Sequence, residues 1–260
     1  MSSRLHHTVA RWAVRATCRY TGLLPIDRHE ADDVFVVGFP KSGNTWLQYL
    51  LAGVLCGLDA SRCPDALVQD LIPDVHDRLA YRRYTRPVFF KSHALPRPDY
   101  RRVIHLVRDG RDAMVSYHHH YQALYGEIDL LTLVRTAPDL LAKWHVHTEA
   151  WLANPHAAAI LLMKYEDLHR DPLGELQKLC AFAALAADDA VLGRAIEQAS
   201  FSQMRAREQR LGWDTPSWPK DRAFVRRGAV GSHRDEMTPE AQREFLAEAA
   251  PTLRKLGYAT

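Results

Sequence analysis

The sequence predicts an α/β fold of three layers, with helices on both faces of a central parallel sheet. Two observations carry that expectation. Short apolar runs rich in β-branched residues alternate with stretches of helical period, the pattern of strands joined by covering helices. The 260 residues are 47% hydrophobic and 25% charged, so the chain can bury a sizeable core without disulfides.

The first strand is 34–38, Val34-Phe-Val-Val-Gly38, an apolar run typical of a buried parallel strand. After a loop, Leu47, Leu50, Leu51, Val54, Leu55 and Leu58 mark one apolar face of a helix. Three further strands are expected at 88–91, 103–107 and 159–163, with helices at about 111–124, 129–153, 172–185 and 188–199. Thr238-Pro239-Glu240 reads as an N-cap, a first-turn proline and a first-turn acid, opening a last helix that should falter at Pro251. The stretch 208–236 mixes Gly, Pro, Ser, two tryptophans and many charges without a period, and reads as a long functional loop.

Residues 1–26 hold no acid but carry Arg4, Arg11, Arg15 and Arg19. Leu5, Val9, Trp12, Ala13 and Ala16 fall at helical spacing, so an amphipathic docking helix is the simpler reading and a transit peptide the other. No internal repeat or linker interrupts the chain. We expect one domain over 1–260, with 1–30 as helical lead-in and 205–236 as a lid.

Charge and cysteines narrow the function. The formal net charge is +3, too small for a general nucleic-acid binder. Cys18, Cys56, Cys63 and Cys180 form no C-x-x-C pair, which reads as four reduced thiols in a cytoplasmic protein. No run of 18 apolar residues exists, so no membrane span is expected.

The chemistry concentrates at strand ends. In Gly38-Phe-Pro-Lys-Ser-Gly-Asn-Thr-Trp46, strand, glycine loop and helix follow one another as in a phosphate cradle. Gly38 and Gly43 have P-loop spacing, yet Asn44 stands where the P-loop lysine belongs, and the lysine lies inside the loop at Lys41. Phe90-Lys-Ser-His93 closes the second strand and offers a histidine whose pKa suits a general base. Arg108 ends the third strand and Ser116 lies two turns into the next helix, a guanidinium and a hydroxyl suited to a phosphate. Phe224-Val-Arg-Arg-Gly228, with Gly231, adds two more cations from the far end of the chain.

Together these motifs resemble the cytosolic-type family of sulfotransferases that use 3′-phosphoadenosine 5′-phosphosulfate (PAPS). The matched positions run from 36 to about 234 in family order. The family usually has Thr where this chain has Asn44 and Ser92, Thr at Ala199, and Trp where Ser232-His233-Arg234 follows the last glycine.

The resemblance implies a P-loop-like fold and metal-independent, in-line transfer of a sulfuryl group to an acceptor hydroxyl or amine, leaving adenosine 3′,5′-bisphosphate (PAP). It assigns the base to His93, the bridging oxygen of the leaving nucleotide to Lys41, and the sulfuryl oxygens in flight to Lys91. Backbone amides of Ser42, Gly43, Asn44 and Thr45, with the Thr45 hydroxyl, take the 5′-phosphate. Arg108, Ser116, Arg226, Arg227 and Gly228 take the 3′-phosphate. Trp46 and Phe201 sandwich the adenine, with Tyr165 beside it.

Two other readings compete. A P-loop nucleotide or small-molecule kinase needs the missing lysine and a magnesium-binding acid. A non-catalytic nucleotide-binding module needs no base. The adjacent histidines 118–120 on one helix point apart and make a poor chelate, so no metal is expected. The acceptor, a small molecule, glycan or lipid, should meet the stretches 63–86, 94–99, 121–148 and 205–222, with Tyr81, Tyr84, His119, Tyr121, Trp144, Trp213 and Trp218 as candidate contacts.

Overall fold

The computed structural model describes residues 18, 20–138, 140–213 and 218–260; most of the expected N-terminal docking helix, and with it the transit-peptide alternative, lies outside them. Four parallel strands form the central sheet in the order β4-β2-β5-β6: β2 is Val34–Val37, β4 Phe89–Ser92, β5 Arg102–Val107 and β6 Ala159–Lys164. All four expected strands are present. A small antiparallel pair, β1 (Leu24–Pro25) with β3 (Ala80–Tyr81), is too short to announce itself by pattern.

Alternation along β2 builds the layers. Val34 and Val36 enter one core with Leu47, Leu50 and Leu51 of α1 (Asn44–Cys56). Phe35 and Val37 face the other side, where Phe90, Val103 and Trp151 pack. A third cluster joins α3 (Gly110–Tyr125) to the C-terminal helix α11 (Pro239–Lys255). The result is the expected α/β/α arrangement, and every strand end carrying a motif lies on one edge of the sheet, where ligands of open parallel sheets bind.

Several helix expectations need correction. The helix foreseen at 129–153 is two, α4 (Leu130–Thr136) and α5 (Trp144–Ala153), because Ala137 turns left-handed at φ 43° and Pro138 follows. Helix α11 runs through Pro251 rather than faltering there. Ala241, Phe245, Ala249 and Leu253, four residues apart, are all buried and hold it against the core, while Pro251 stays on the exposed side. The stretch 208–236 is partly helical: α9 (Phe201–Leu211) reaches into it and α10 (His233–Glu236) closes it. Short helices α2 (Asp65–Leu71) and α6 (Tyr165–Arg170) were not foreseen, whereas α7 (Pro172–Ala183) and α8 (Asp189–Gln198) stand where expected.

Candidate active site

At the sheet edge, β2 feeds the loop 38–43 and then α1. Gly43 is the N-cap of α1, at φ 104°. Glycine is required twice over: the backbone is in the left-handed region, and a Cβ would stand 2.6 Å from Tyr165 Cδ2. A glycine cap also leaves the first amides without a side-chain acceptor, and no acid occupies the first turn. The positive end of α1 is therefore open to an anion.

Around that end lies a cavity of about 860 Å³. Its walls include Lys41, Gly43, Asn44, Thr45, Trp46, Lys91, His93, Arg108, Ser116, Tyr165, Phe201, Arg226, Arg227 and Gly228. Of the residues assigned to the donor and to catalysis, only Ser42 does not line it. Ser42 is fully buried, and its Oγ has no hydrogen-bond partner among the described residues. Asn44 Oδ1 and Arg108 Nε are likewise buried and unpartnered.

The two lysines differ in charge. Lys91 Nζ lies 2.8 Å from Asp74 Oδ2. Burial pulls the Lys91 pKa down, but the attraction of Asp74 outweighs it and leaves the lysine above its ordinary value. Asp74 is supplied by a segment that pairs with β4: Lys91 N donates to Pro73 O and Val75 N to Lys91 O, each at 3.0 Å. Lys41 forms no ion pair with a carboxylate among the described residues. Its backbone is left-handed at φ 69°, uncommon for a residue with a Cβ, and its ammonium sits 4.4 Å from the centre of the Phe224 ring. Burial, then repulsion from Lys91, Arg108 and Arg226, lowers its pKa from 10.5 to about 7.

His93 is fixed on three sides. Nδ1 lies 2.7 Å from Gly38 O. A carbonyl oxygen only accepts, so Nδ1 carries the proton and Nε2 of the neutral ring keeps its lone pair. The His93 backbone N–H donates to His76 Nε2 at 2.9 Å, and its carbonyl accepts from His147 Nε2 at 3.2 Å. Burial, followed by Lys91, lowers the His93 pKa to about 3, so the ring is neutral at ordinary pH.

Arg108 ties the glycine loop to the segment around Ala229. Its Nη1 donates to Lys41 O at 3.1 Å and its Nη2 to Ala229 O at 2.9 Å, while Asp112 stands off at 4.0 Å. Asp112 is engaged elsewhere: it accepts from Gly231 N at 2.6 Å, His233 N at 2.9 Å and His233 Nδ1 at 2.7 Å. His233, where the family pattern has Trp, thus joins Gly231 in tying this segment to α3 by hydrogen bonds. From the other side, Glu208 of α9 accepts from Phe224 N and Val225 N, and Arg205 donates to the carbonyls of Val225 and Arg226. Phe224 stacks on Trp213 with ring centres 3.9 Å apart.

The aromatic expectations fare unevenly. Trp46 Nε1 donates to Ala199 O at 2.9 Å, fixing the indole edge-on to Tyr165. The ring partners of Trp46 are Tyr165 and His169; Phe201 lies across the cavity wall, in contact range of Gly228. Of the acceptor candidates, Trp213 and Trp218 line the cavity, but Tyr81, Tyr84, His119, Tyr121 and Trp144 do not. Tyr81 and Trp144 are core, against Phe90 and Phe245. The cavity instead takes Phe39, His76, Tyr117, His120, Tyr125 and Leu141. The three adjacent histidines part as the helix period demands: His118 bonds Ile128 O, His119 bonds Glu236, and His120 reaches the cavity. Among the described residues no three metal-ligating side chains converge, and no helix is long and apolar enough to cross a membrane.

Sequence reasoning missed Asp74, His76, Asp112 and Glu236. Asp74, His76 and Glu236 support predicted residues from segments without a motif of their own, whereas Asp112 lies inside the Arg108–Ser116 motif and holds Gly231 and His233. The one usable signal was the acid-histidine pair Asp74 and His76 in a segment without helical or strand period.

Known proteins resemble this chain in sequence and fold. Over 252 residues the chain is 26% identical to Sulfotransferase 1A1 of Bos taurus, covering 87% of this chain and 85% of the relative. It is 25% identical over 235 residues to Sulfotransferase 1C2 of Rattus norvegicus, covering 80% and 78%. Mouse sulfotransferase SULT7A1 complexed with PAP superposes with a TM-score of 0.64 at 21% identity, covering 86% of this chain and 84% of that one. Retinol dehydratase in complex with androsterone and inactive cofactor PAP gives 0.67 at 19%, covering 87% and 82%. The sulfotransferase domain matches residues 31–257, and the chain belongs to that family.

Proposed function

We propose that this chain, acting as a single domain in the cytoplasm, transfers the sulfuryl group of PAPS to a hydroxyl or amine of a small-molecule acceptor. The carrying observation is His93, with Nε2 unprotonated and without a hydrogen-bond partner among the described residues, lining the same cavity as Lys41, Lys91 and the uncapped start of α1. The four cysteines, all unpaired, support the reducing compartment.

The residues fit the donor. The amides of 43–45 and the open end of α1 suit the 5′-phosphate, and the buried, unpartnered Ser42 Oγ and Arg108 Nε are donors in need of an acceptor. Arg108, Ser116, Arg226, Arg227 and Gly228 receive the 3′-phosphate, and Trp46, Tyr165 and Phe201 frame the adenine. The acceptor oxygen forms its bond to sulfur as the bond from sulfur to the bridging oxygen breaks. The acceptor proton moves to His93 Nε2, and the electron pair of the broken bond leaves with PAP. Lys41 meets the charge on the bridging oxygen, and Lys91, held by Asp74, meets the sulfuryl oxygens. Positioning and charge stabilisation supply the acceleration. Lys91, which adds to burial in lowering His93, is one of the groups an anionic donor neutralises, so donor binding relieves that part of the depression.

The cavity lining also carries Phe39, Tyr117, Tyr125, Leu141 and Trp218, which suits an acceptor with an apolar body, including a lipid or an aromatic alcohol. A thermal-shift panel tests the donor assignment. PAP should stabilise the protein without Mg²⁺, and ADP or ATP should not. Preferential stabilisation by ATP with Mg²⁺ would point to a kinase instead.

A further inference from the structure

Arg226 and Arg227 both line the cavity, but the group that holds them does not. Glu236, the last residue of α10, accepts from Arg226 Nη1 on both oxygens at 2.9 Å and from Arg227 Nη1 on Oε1 at 2.7 Å. His119 Nε2 lies 2.6 Å from Oε2. Neither Glu236 nor His119 is part of the cavity wall. The carboxylate therefore grips the two guanidinium groups from outside.

Each arginine reaches Glu236 through Nη1 alone. Nη2 and Nε of both make no hydrogen bond among the described residues, and both residues line the cavity, so these edges are left to meet a ligand. Two guanidinium groups sharing one oxygen would repel each other without the carboxylate between them. Burial raises the Glu236 pKa, but His119 and Arg226 more than offset it, so the group is ionised. Its own place is fixed too, because α10 begins at His233, which is bound to Asp112.

We propose that Glu236 is a positioning residue for the 3′-phosphate site, holding Arg226 and Arg227 together from behind with their free edges turned to the nucleotide. This rests on the donor reading above. It makes discrimination for the 3′-phosphate depend on a residue that never touches the nucleotide. Losing the clamp frees two long side chains that must then be ordered on binding.

Isothermal titration of the full chain with PAP and with AMP, which lacks the 3′-phosphate, tests it. Glu236→Ala should weaken PAP binding about tenfold and leave AMP binding unchanged. Glu236→Gln, which keeps an acceptor oxygen, should fall between, and serves if the alanine variant does not fold. PAP affinity equal to or tighter than wild type in both variants overturns the proposal, as does an equal loss for PAP and AMP. The double variant Arg226→Ala, Arg227→Ala is the reference. If it leaves the PAP-to-AMP ratio unchanged, the 3′-phosphate assignment itself fails, whatever Glu236 does.

Discussion

Lys41 offers the sharpest quantitative consequence. Its pKa is lowered to about 7 by burial and by three neighbouring cations, so free protein at pH 8 carries the proton on only about a tenth of molecules. PAP brings phosphate charge against the ammonium, and the bound state holds the proton fully. Binding at pH 8 should then take up about 0.9 proton, and at pH 6 only about 0.1. The sign follows from linkage: the complex binds more protons than the free protein, so affinity falls as pH rises above about 7. From Lys41 alone, PAP should bind about 50-fold more weakly at pH 9 than at pH 7. His93 stays unprotonated in this window, because its pKa is lowered to about 3 chiefly by burial, which PAP does not relieve. Calorimetry in buffers of different ionisation enthalpy counts the protons directly. Lys41→Arg keeps its charge at every pH tested, so uptake should vanish while binding persists. Lys41→Met should lose both. Uptake at pH 8 below about 0.2 proton, or equal uptake in Lys41→Arg, would refute the reasoning.

Other consequences bear on neighbouring groups. His93→Ala should lower turnover by about 10²- to 10⁴-fold while PAP titrates as in wild type; weakened PAP binding would mean that His93 is structural. Asp74→Ala leaves Lys91 charged, buried and unpaired, and should cost about 3–5 kcal/mol in urea unfolding. Because the Asp74 pKa is lowered, its contribution is present above the unfolded carboxylate value and is lost as pH falls through the folded one, so the gap between variant and wild type should close in acid. Gly43→Ala combines a left-handed backbone with a Cβ 2.6 Å from Tyr165; it should destabilise the fold by about 1–3 kcal/mol and abolish PAP binding in the same titration.

Most of the site was legible because its residues sit at strand ends, where a short apolar run announces the position of the next side chain. Lys41, His93 and Arg108 were found that way, and the sheet edge brings them to one cavity. Their supports were not legible. Asp74 reaches Lys91 through an isolated bridge between segments, and Glu236 reaches Arg226 through a four-residue helix. Neither leaves a period or a spacing to read. Helix limits failed where tertiary packing overrode local preference. The buried face of Ala241, Phe245, Ala249 and Leu253 carries α11 past Pro251, whereas the turn at Ala137–Pro138 divides a stretch that looked continuous. The acceptor wall was misjudged for a related reason. An aromatic residue in an irregular stretch is as readily core as pocket, and Tyr81 and Trp144 proved to be core.

The central claim is group transfer with His93 as the base. Incubating the protein with radiosulfur-labelled PAPS and a panel of phenols, sterols and amines measures it directly. The account predicts label on an acceptor, one PAP released per label transferred, no requirement for added Mg²⁺, and loss of transfer in His93→Ala with PAP binding intact. Release of PAP with the label appearing only as inorganic sulfate, or transfer by His93→Ala at the wild-type rate, would contradict it.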